Sequence, residues 1–200
     1  MAITAGAAPL HAVPDDAAFD RDRAMNAVAD LLIALGRDLD DEDLADTPRR
    51  VADGFIEMLS PVPFEMTTFP NDDGYDEPVL VRGISFASLC RHHLLPFRGT
   101  ATIGYLPGGR LVGLSKLARV VDYHARGLQV QESLTAQIAL TLQSTLAPRA
   151  VGVVIEAEHL CMSVRGIRSE GATTVTTAFR GEFAGDPAAQ ARFASAAPSA

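Results

Sequence analysis

The chain has 200 residues, 48% of them hydrophobic, enough for one globular domain with a sizeable core. Its formal net charge of −8 excludes the broad basic face that nucleic acid or an anionic membrane surface would need, so any anion site has to be a local basic pocket. No stretch approaches the roughly 18 apolar residues that cross a bilayer, and the opening MAITAGAAPLHAV has no basic n-region or continuous apolar run, so a cytoplasmic location is expected.

In chain order, residues 1–17 are rich in Ala, Pro and Asp without sustained period and read as a disordered tail. From Phe19 to Leu35 the residues Met25, Val28, Leu31, Leu32 and Leu35 recur at helical spacing and Gly36 follows as a cap, which predicts a first amphipathic helix. DTPRRVADGFIEMLSP predicts a second, with Thr47 as N-cap, Pro48 in the first helical position, Val51, Phe55, Ile56 and Leu59 along one side, and Pro61 as the stop. Residues 18–60 thus form a helical segment, and residues 61–77 a Pro/Asp/Gly-rich connection.

The pattern then changes. VLVRGISFAS and GTATIGYL read as strands, Pro107–Gly109 as a turn, and RLVGLS as the returning strand of a hairpin. SKLARVVDYHAR and QVQESLTAQIALTLQSTL return to helical period, with Leu134, Ile138 and Leu142 on one face. AVGVVIEAEHLC and ATTVTTAFRGEF are β-branched and alternating, hence two more strands, and residues 184–200 read as a mobile tail. Runs of helices and strands in this order predict an α+β fold with an antiparallel sheet over residues 78–183, in a single domain spanning 18–183.

SLCRHHLLPF, residues 88–97, concentrates one of the two cysteines and two of the five histidines. In a reducing compartment Cys90 and Cys161 are expected to be unpaired, either as small buried groups or as ligands and nucleophiles. Cys90 and His93, three apart in a short turn, can converge on one point. Period-two alternation through VGVVIEAEHLC would turn His159 and Cys161 to the same side if the strand continues that far. Cys90, His93 and Cys161 are therefore candidate ligands, with His92 and His159 as spare imidazoles. Thiolates with imidazole favour Zn²⁺, and three protein ligands leave a fourth position open for water. At this level Cys-x-x-His with one distant Cys is a weak pattern, and core packing of a cysteine and a turn histidine is the commoner explanation of the same residues.

A second cluster is independent. Ser115 opens a helix whose first turn carries Lys116 and Arg119 on one face, where free backbone N–H groups and the helix dipole favour an anion. Lys116 is the single lysine among 17 basic residues, which hints at a site needing a compact ammonium or is a residue of chance. Arg165 follows Cys161 by four positions. Gln131 and Glu132 open the next helix, where Glu132 would complement the helix N-terminus in any case.

CRHHLLPFRGTATIGYLPGGRLVGLSKLARVV, QVQESLTAQIA and HLCMSVRGIR…GATTVTTAFRG, with TPRRVA upstream, occur in one order and resemble GTP cyclohydrolase I from about residue 22 to residue 183. The resemblance implies the tunnelling fold: an antiparallel four-stranded sheet with two helices on one face, preceded by a helical segment, assembled as a homodecamer with active sites at subunit interfaces. It implies conversion of GTP and water to formate and 7,8-dihydroneopterin triphosphate, the first step of a tetrahydrofolate or pterin-type pathway. Cys90, His93 and Cys161 would bind Zn²⁺, His159 would protonate the purine N7 as general acid, and His92 would assist later proton transfers. Gln131 and Glu132 would read the guanine edge. Ser115, Lys116, Arg119 and Arg165 would hold the ribose and triphosphate, with Arg50 reaching in from another subunit.

Several positions depart from the family pattern. Arg91 stands where the family has Glu, Leu128 and Ser133 replace Pro and Arg, Asp53 stands where a basic residue is common, and RSEG replaces Arg-Lys-Pro-Gly. None removes an implied ligand. They leave open a paralogue on the same fold that binds a purine or pterin with altered or no turnover.

Overall fold

The computed structural model describes residues 19–196, so the tail expected at 1–17 and the last four residues lie outside it. The chain divides into two compact units between Ser60 and Pro61. The first holds α1 (Arg21–Ala34) and α2 (Thr47–Leu59). Asp20 caps α1 by accepting from the Arg23 N–H at 2.9 Å. Asp46, not Thr47, occupies the N-cap position of α2, with Pro48 in the first turn. The apolar stripe expected on α1 is not enclosed: no residue of α1 is buried, and Leu31 and Leu35 are 56% and 64% exposed. Within this unit α1 packs on α2 alone, and two helices cannot cover a wide stripe.

The second unit contains β1 (Thr68–Pro70), β2 (Val79–Cys90), β3 (Pro96–Leu106), β4 (Arg110–Val112), α3 (Leu114–Ala125), β5 (Leu128–Gln129) and α4 (Gln131–Leu146). It continues through β6 (Ala150–His159), the single turn α5 (Leu160–Ser163), β7 (Thr173–Gly181), a 3₁₀ turn at Glu182–Gly185 and α6 (Pro187–Ala196). The main sheet runs β5-β2-β3-β6-β7. Its four long strands are antiparallel, as the α+β expectation requires, and β5 adds two residues parallel to β2 that the sequence did not announce. Helix α3 packs on β2 and α4 on β6 and β7, and the side chains between them, among them Phe97, Ile103, Leu117, Leu134 and Ile155, are fully buried.

Two expectations are corrected here. Residues 110–112 do not return along β3; they pair with β1, Phe69 opposite Leu111. Strand β3 is already flanked by β2 and β6 and has no edge to offer, while Asn71 secures the alternative by donating through Nδ2 to the Gly108 carbonyl at 3.0 Å. The C-terminal segment is also structured through Ala196. Gly104 and Gly152 lie opposite each other on β3 and β6, and a Cβ on either would run into the ring of Phe193. The missing side chains leave a hollow that Phe193 fills, 5.1 Å from the Phe183 ring and 5.7 Å from that of Phe179.

Because Phe193 anchors α6 in that hollow, Phe193→Ala should release Pro187–Ala196 while the sheet holds. Hydrogen exchange should show amides of α6 losing protection and those of β3 and β6 keeping theirs. Unchanged protection in α6 would mean that the helix docks by some other contact.

Candidate functional site

The loop between β2 and β3, residues 91–95, is closed by its own backbone. The Cys90 N–H donates to the Leu95 carbonyl and the Leu94 N–H to the Cys90 carbonyl, both at 2.9 Å. Leu94 adopts φ +56°, a left-handed conformation that costs a non-glycine residue about 1 kcal/mol, so the turn is held by its surroundings. Arg91 ties the loop to β5: its backbone N–H donates to the Gln129 carbonyl at 3.0 Å and its guanidinium to the Leu128 carbonyl at 3.3 and 3.2 Å. Pro96 then begins β3, where a missing N–H is tolerated.

Strand β6 ends at His159, and Cys161 is the second residue of α5. The alternation expected to carry Cys161 to the side of His159 therefore stops short, and a helical turn aims the thiol instead. It still reaches the loop. The ligand atoms of Cys90, His93 and Cys161 all lie within 4.8 Å of one another, with Cys90 Sγ 3.7 Å from His93 Nδ1. Ligands placed tetrahedrally at zinc–sulfur and zinc–nitrogen bond lengths are roughly 3.5–3.8 Å apart, so this cluster has the size and donor chemistry to hold such an ion. Burial, and then the neighbouring Cys90, push the Cys161 thiol above its ordinary range, while the Arg165 guanidinium pulls the other way.

His159 sits beside this group. Its ring stacks on Phe97, its cross-strand partner, with centroids 4.6 Å apart and planes 2° from parallel, and its Nε2 lies 2.7 Å from Gln131 Oε1. Burial lowers its pKa, and the carboxylate of Glu132, the residue after Gln131 in the first turn of α4, opposes that shift. The structure thus gathers Cys90, His93, Cys161, His159, Gln131, Glu132 and Arg165. His92 is exposed, its ring edge-on to His93 at 6.3 Å. By contrast, His124 is half-buried against Thr141 Oγ1 at 2.8 Å, and burial pulls its pKa down to about 4, which leaves it a neutral packing group.

Gln131 corrects the expectation that it reads a ligand edge. It is 1% exposed, and its amide nitrogen lies 3.2 Å from the Ile155 carbonyl, 2.9 Å from that of Thr174 and 3.1 Å from Thr176 Oγ1. Both ends of the amide are occupied inside the protein. Sequence reasoning missed Phe97, Thr135 and Thr176 as supports of this group; the only signal was the Phe immediately after Pro96 in the histidine motif.

Ser115, Lys116 and Arg119 occupy the first two turns of α3, with Lys116 half-buried and the other two exposed. Neither Lys116, Arg119 nor Arg165 has an ion-pair partner among the described residues, so each is available to an anion. No hydrogen bond or ion pair among the described residues joins α3's first turn to the Cys–His–Cys group. Arg50 belongs to the first unit and pairs with Asp46 at 3.3 Å.

The family model for GTP cyclohydrolase I matches residues 24–197. A protein of Streptomyces griseus named GTP cyclohydrolase 1 is 53% identical over 179 residues, covering 87% of this chain and 89% of that relative. Its namesake from Mycolicibacterium gilvum is 53% identical over 178 residues (86% and 88%), and that from Brucella canis 52% over 172 residues (84% and 81%). With the model spanning most of the chain and relatives above half identity along nearly their whole length, the chain belongs to the GTP cyclohydrolase I family.

Proposed function

We propose that this protein is a zinc-dependent GTP cyclohydrolase, converting GTP and water to formate and 7,8-dihydroneopterin triphosphate. The observation that carries the reading is the convergence of Cys90, His93 and Cys161 beside a half-buried imidazole, His159, held by a hydrogen bond and a ring stack. Zinc, when bound by these three side chains, supplies Lewis-acid activation of water.

The remaining chemistry falls to the chain's own groups. Water adds to C8 of the purine only if N7 accepts a proton, and His159 is positioned to give it. Opening of the five-membered ring leaves C8 as a formamide, a second water hydrolyses it to release formate, and closure onto the ribose carbons returns one water, so a single water is consumed overall. His92 assists proton movements in that rearrangement. Glu132 accepts from the guanine N1–H and 2-amino group, donors that adenine does not present together. Ser115 holds the ribose, Lys116, Arg119 and Arg165 hold the triphosphate, and Arg50 reaches a site in a neighbouring subunit of a homodecamer. The product enters a tetrahydrofolate or other pterin-type pathway in the cytoplasm. Among the described residues no helix is long and apolar enough to cross a membrane.

Cys90→Ser, His93→Ala and Cys161→Ser should each abolish or greatly weaken zinc retention while leaving a folded protein, since the core lies between the helices and the sheet. Elemental analysis of protein purified without chelator checks this. Wild type carrying far less than one zinc per chain would remove the site.

Lys116→Met and Arg119→Met should raise KM for GTP by about 10- to 100-fold with zinc content unchanged, since each deletes a charge-assisted phosphate contact. Loss of zinc at unchanged KM would show these residues to be misassigned.

His159→Ala should retain zinc and bind GTP, yet release formate more slowly by a factor on the order of 10² to 10⁴. Formate and the oxidised fluorescent pterin are the readouts. Wild type that holds zinc and GTP but releases no formate would instead favour a binding paralogue.

A further inference from the structure

We propose that Gln131 is a positioning residue: its side-chain amide fixes the ring plane of His159 and keeps one hydrogen on Nε2, so that Nδ1 is the nitrogen that takes up the transferable proton and passes it to the substrate. The inference deepens the proposed reaction and rests on His159 acting in it.

Each hydrogen-bond direction follows from which groups can only accept. Gln131 Nε2 faces the carbonyl oxygens of Ile155 at 3.2 Å and Thr174 at 2.9 Å. A carbonyl has no hydrogen, so the NH₂ end must point at β6 and β7, and the amide cannot be turned over. Thr135 Oγ1 lies 2.8 Å from the Gln131 backbone carbonyl and therefore donates to it. Thr176 Oγ1, 2.6 Å from Thr135 Oγ1, must then donate to Thr135 and can accept from Gln131 Nε2 at 3.1 Å. Nothing in this chain can reverse without leaving two acceptors facing each other.

The orientation determines the other end. Gln131 Oε1, an acceptor only, is 2.7 Å from His159 Nε2, so that nitrogen is the donor and bears the hydrogen. A 2.7 Å bond to an amide 1% exposed keeps Nε2 occupied and away from solvent. The face-to-face stack on Phe97, itself fully buried, removes rotation about the remaining axis. The lock spans the first residue of α4 and three neighbouring strands, so it belongs to the scaffold and does not depend on bound GTP. A side chain engaged this completely cannot also hydrogen-bond guanine, which separates its role from that of Glu132.

The test has two arms on zinc-loaded protein. In the first, NMR of histidine-¹⁵N-labelled wild type is recorded well above the imidazole pKa, with the His159 signals identified by their absence in His159→Ala. A hydrogen on Nε2, exchanging slowly with solvent, is expected, and it should lose that protection in Gln131→Met. In the second arm, Gln131→Met should lower kcat by roughly 10- to 100-fold with KM for GTP and zinc content little changed, the signature of a misplaced reacting group. Wild type with the hydrogen on Nδ1 would overturn the proposal, and so would a Gln131→Met enzyme with raised KM and unchanged kcat, which would make Gln131 a substrate reader. The NMR arm needs no turnover, so it decides the lock even if wild type released no formate, a result that would sink the proposed reaction alone.

Discussion

The site depends on the antiparallel pairing of β3 with β6 in the register that sets Phe97 opposite His159. Strand β3 begins at Pro96, just after the Cys90–Leu95 loop, and β6 ends at His159, just before Cys161. Antiparallel neighbours place the start of one beside the end of the other, so this single register delivers two candidate ligands from one chain reversal and the third from a helical turn some seventy residues later. A slip of one residue would turn His159 to the opposite face of the sheet and separate its ring from Phe97. The register is in turn held by burial on the helix-covered face, where Ala101, Ile103, Val153 and Ile155 are essentially inaccessible. Packing energy spent in the core thus appears as precision at the sheet's end.

Much of this was legible in the chain. Helical and strand periods marked every long element except α6, and the sixteen residues of α4 are predicted with an error of two at one end because Leu134, Ile138 and Leu142 keep strict spacing. What escaped was decided between distant residues. The partner of β4 could not be read because it depends on β3 having no free edge. Helix α6 is Ala-rich and weakly patterned, and its docking relies on a hollow made by Gly104 and Gly152, some forty to ninety residues earlier. Gln131 was readable as a polar residue near the ligands, but whether its amide faces inward or toward a ligand is set by carbonyls on two strands. Cys161 does lie with Cys90 and His93, but a helical turn brings it there and not the expected alternation, which ends at His159.

The departures from the family pattern also acquire local explanations. Arg91 spends its guanidinium on the Leu128 carbonyl, so the loop is tethered to β5 through a residue that also differs from the pattern, and the substitution leaves the ligand atoms converged. Asp53 is held within the helical unit, where Arg21 donates to it through Nε at 2.6 Å and Nη2 at 2.9 Å, and Arg49 lies 3.5 Å away. These groups are solvent-exposed, so the pairing organises the surface more than it stabilises the fold. For Ser133 the structure offers no account.

A chain with a net charge of −8 that takes a nucleoside triphosphate as substrate meets it against its own average field. Binding therefore has to come from short-range contacts, inside about a Debye length, where a few cations outweigh a diffuse negative background. The distribution of ion pairs fits that constraint. Arg21, Arg126 and Arg149 are matched by carboxylates, whereas Lys116, Arg119 and Arg165 are left without one among the described residues. An internal carboxylate on any of these three would have to be displaced before a phosphate could bind, cancelling most of the gain. In the proposed reaction, leaving them open would be the electrostatic counterpart of Gln131 holding His159: the group proposed to meet the ligand keeps its reacting atom free.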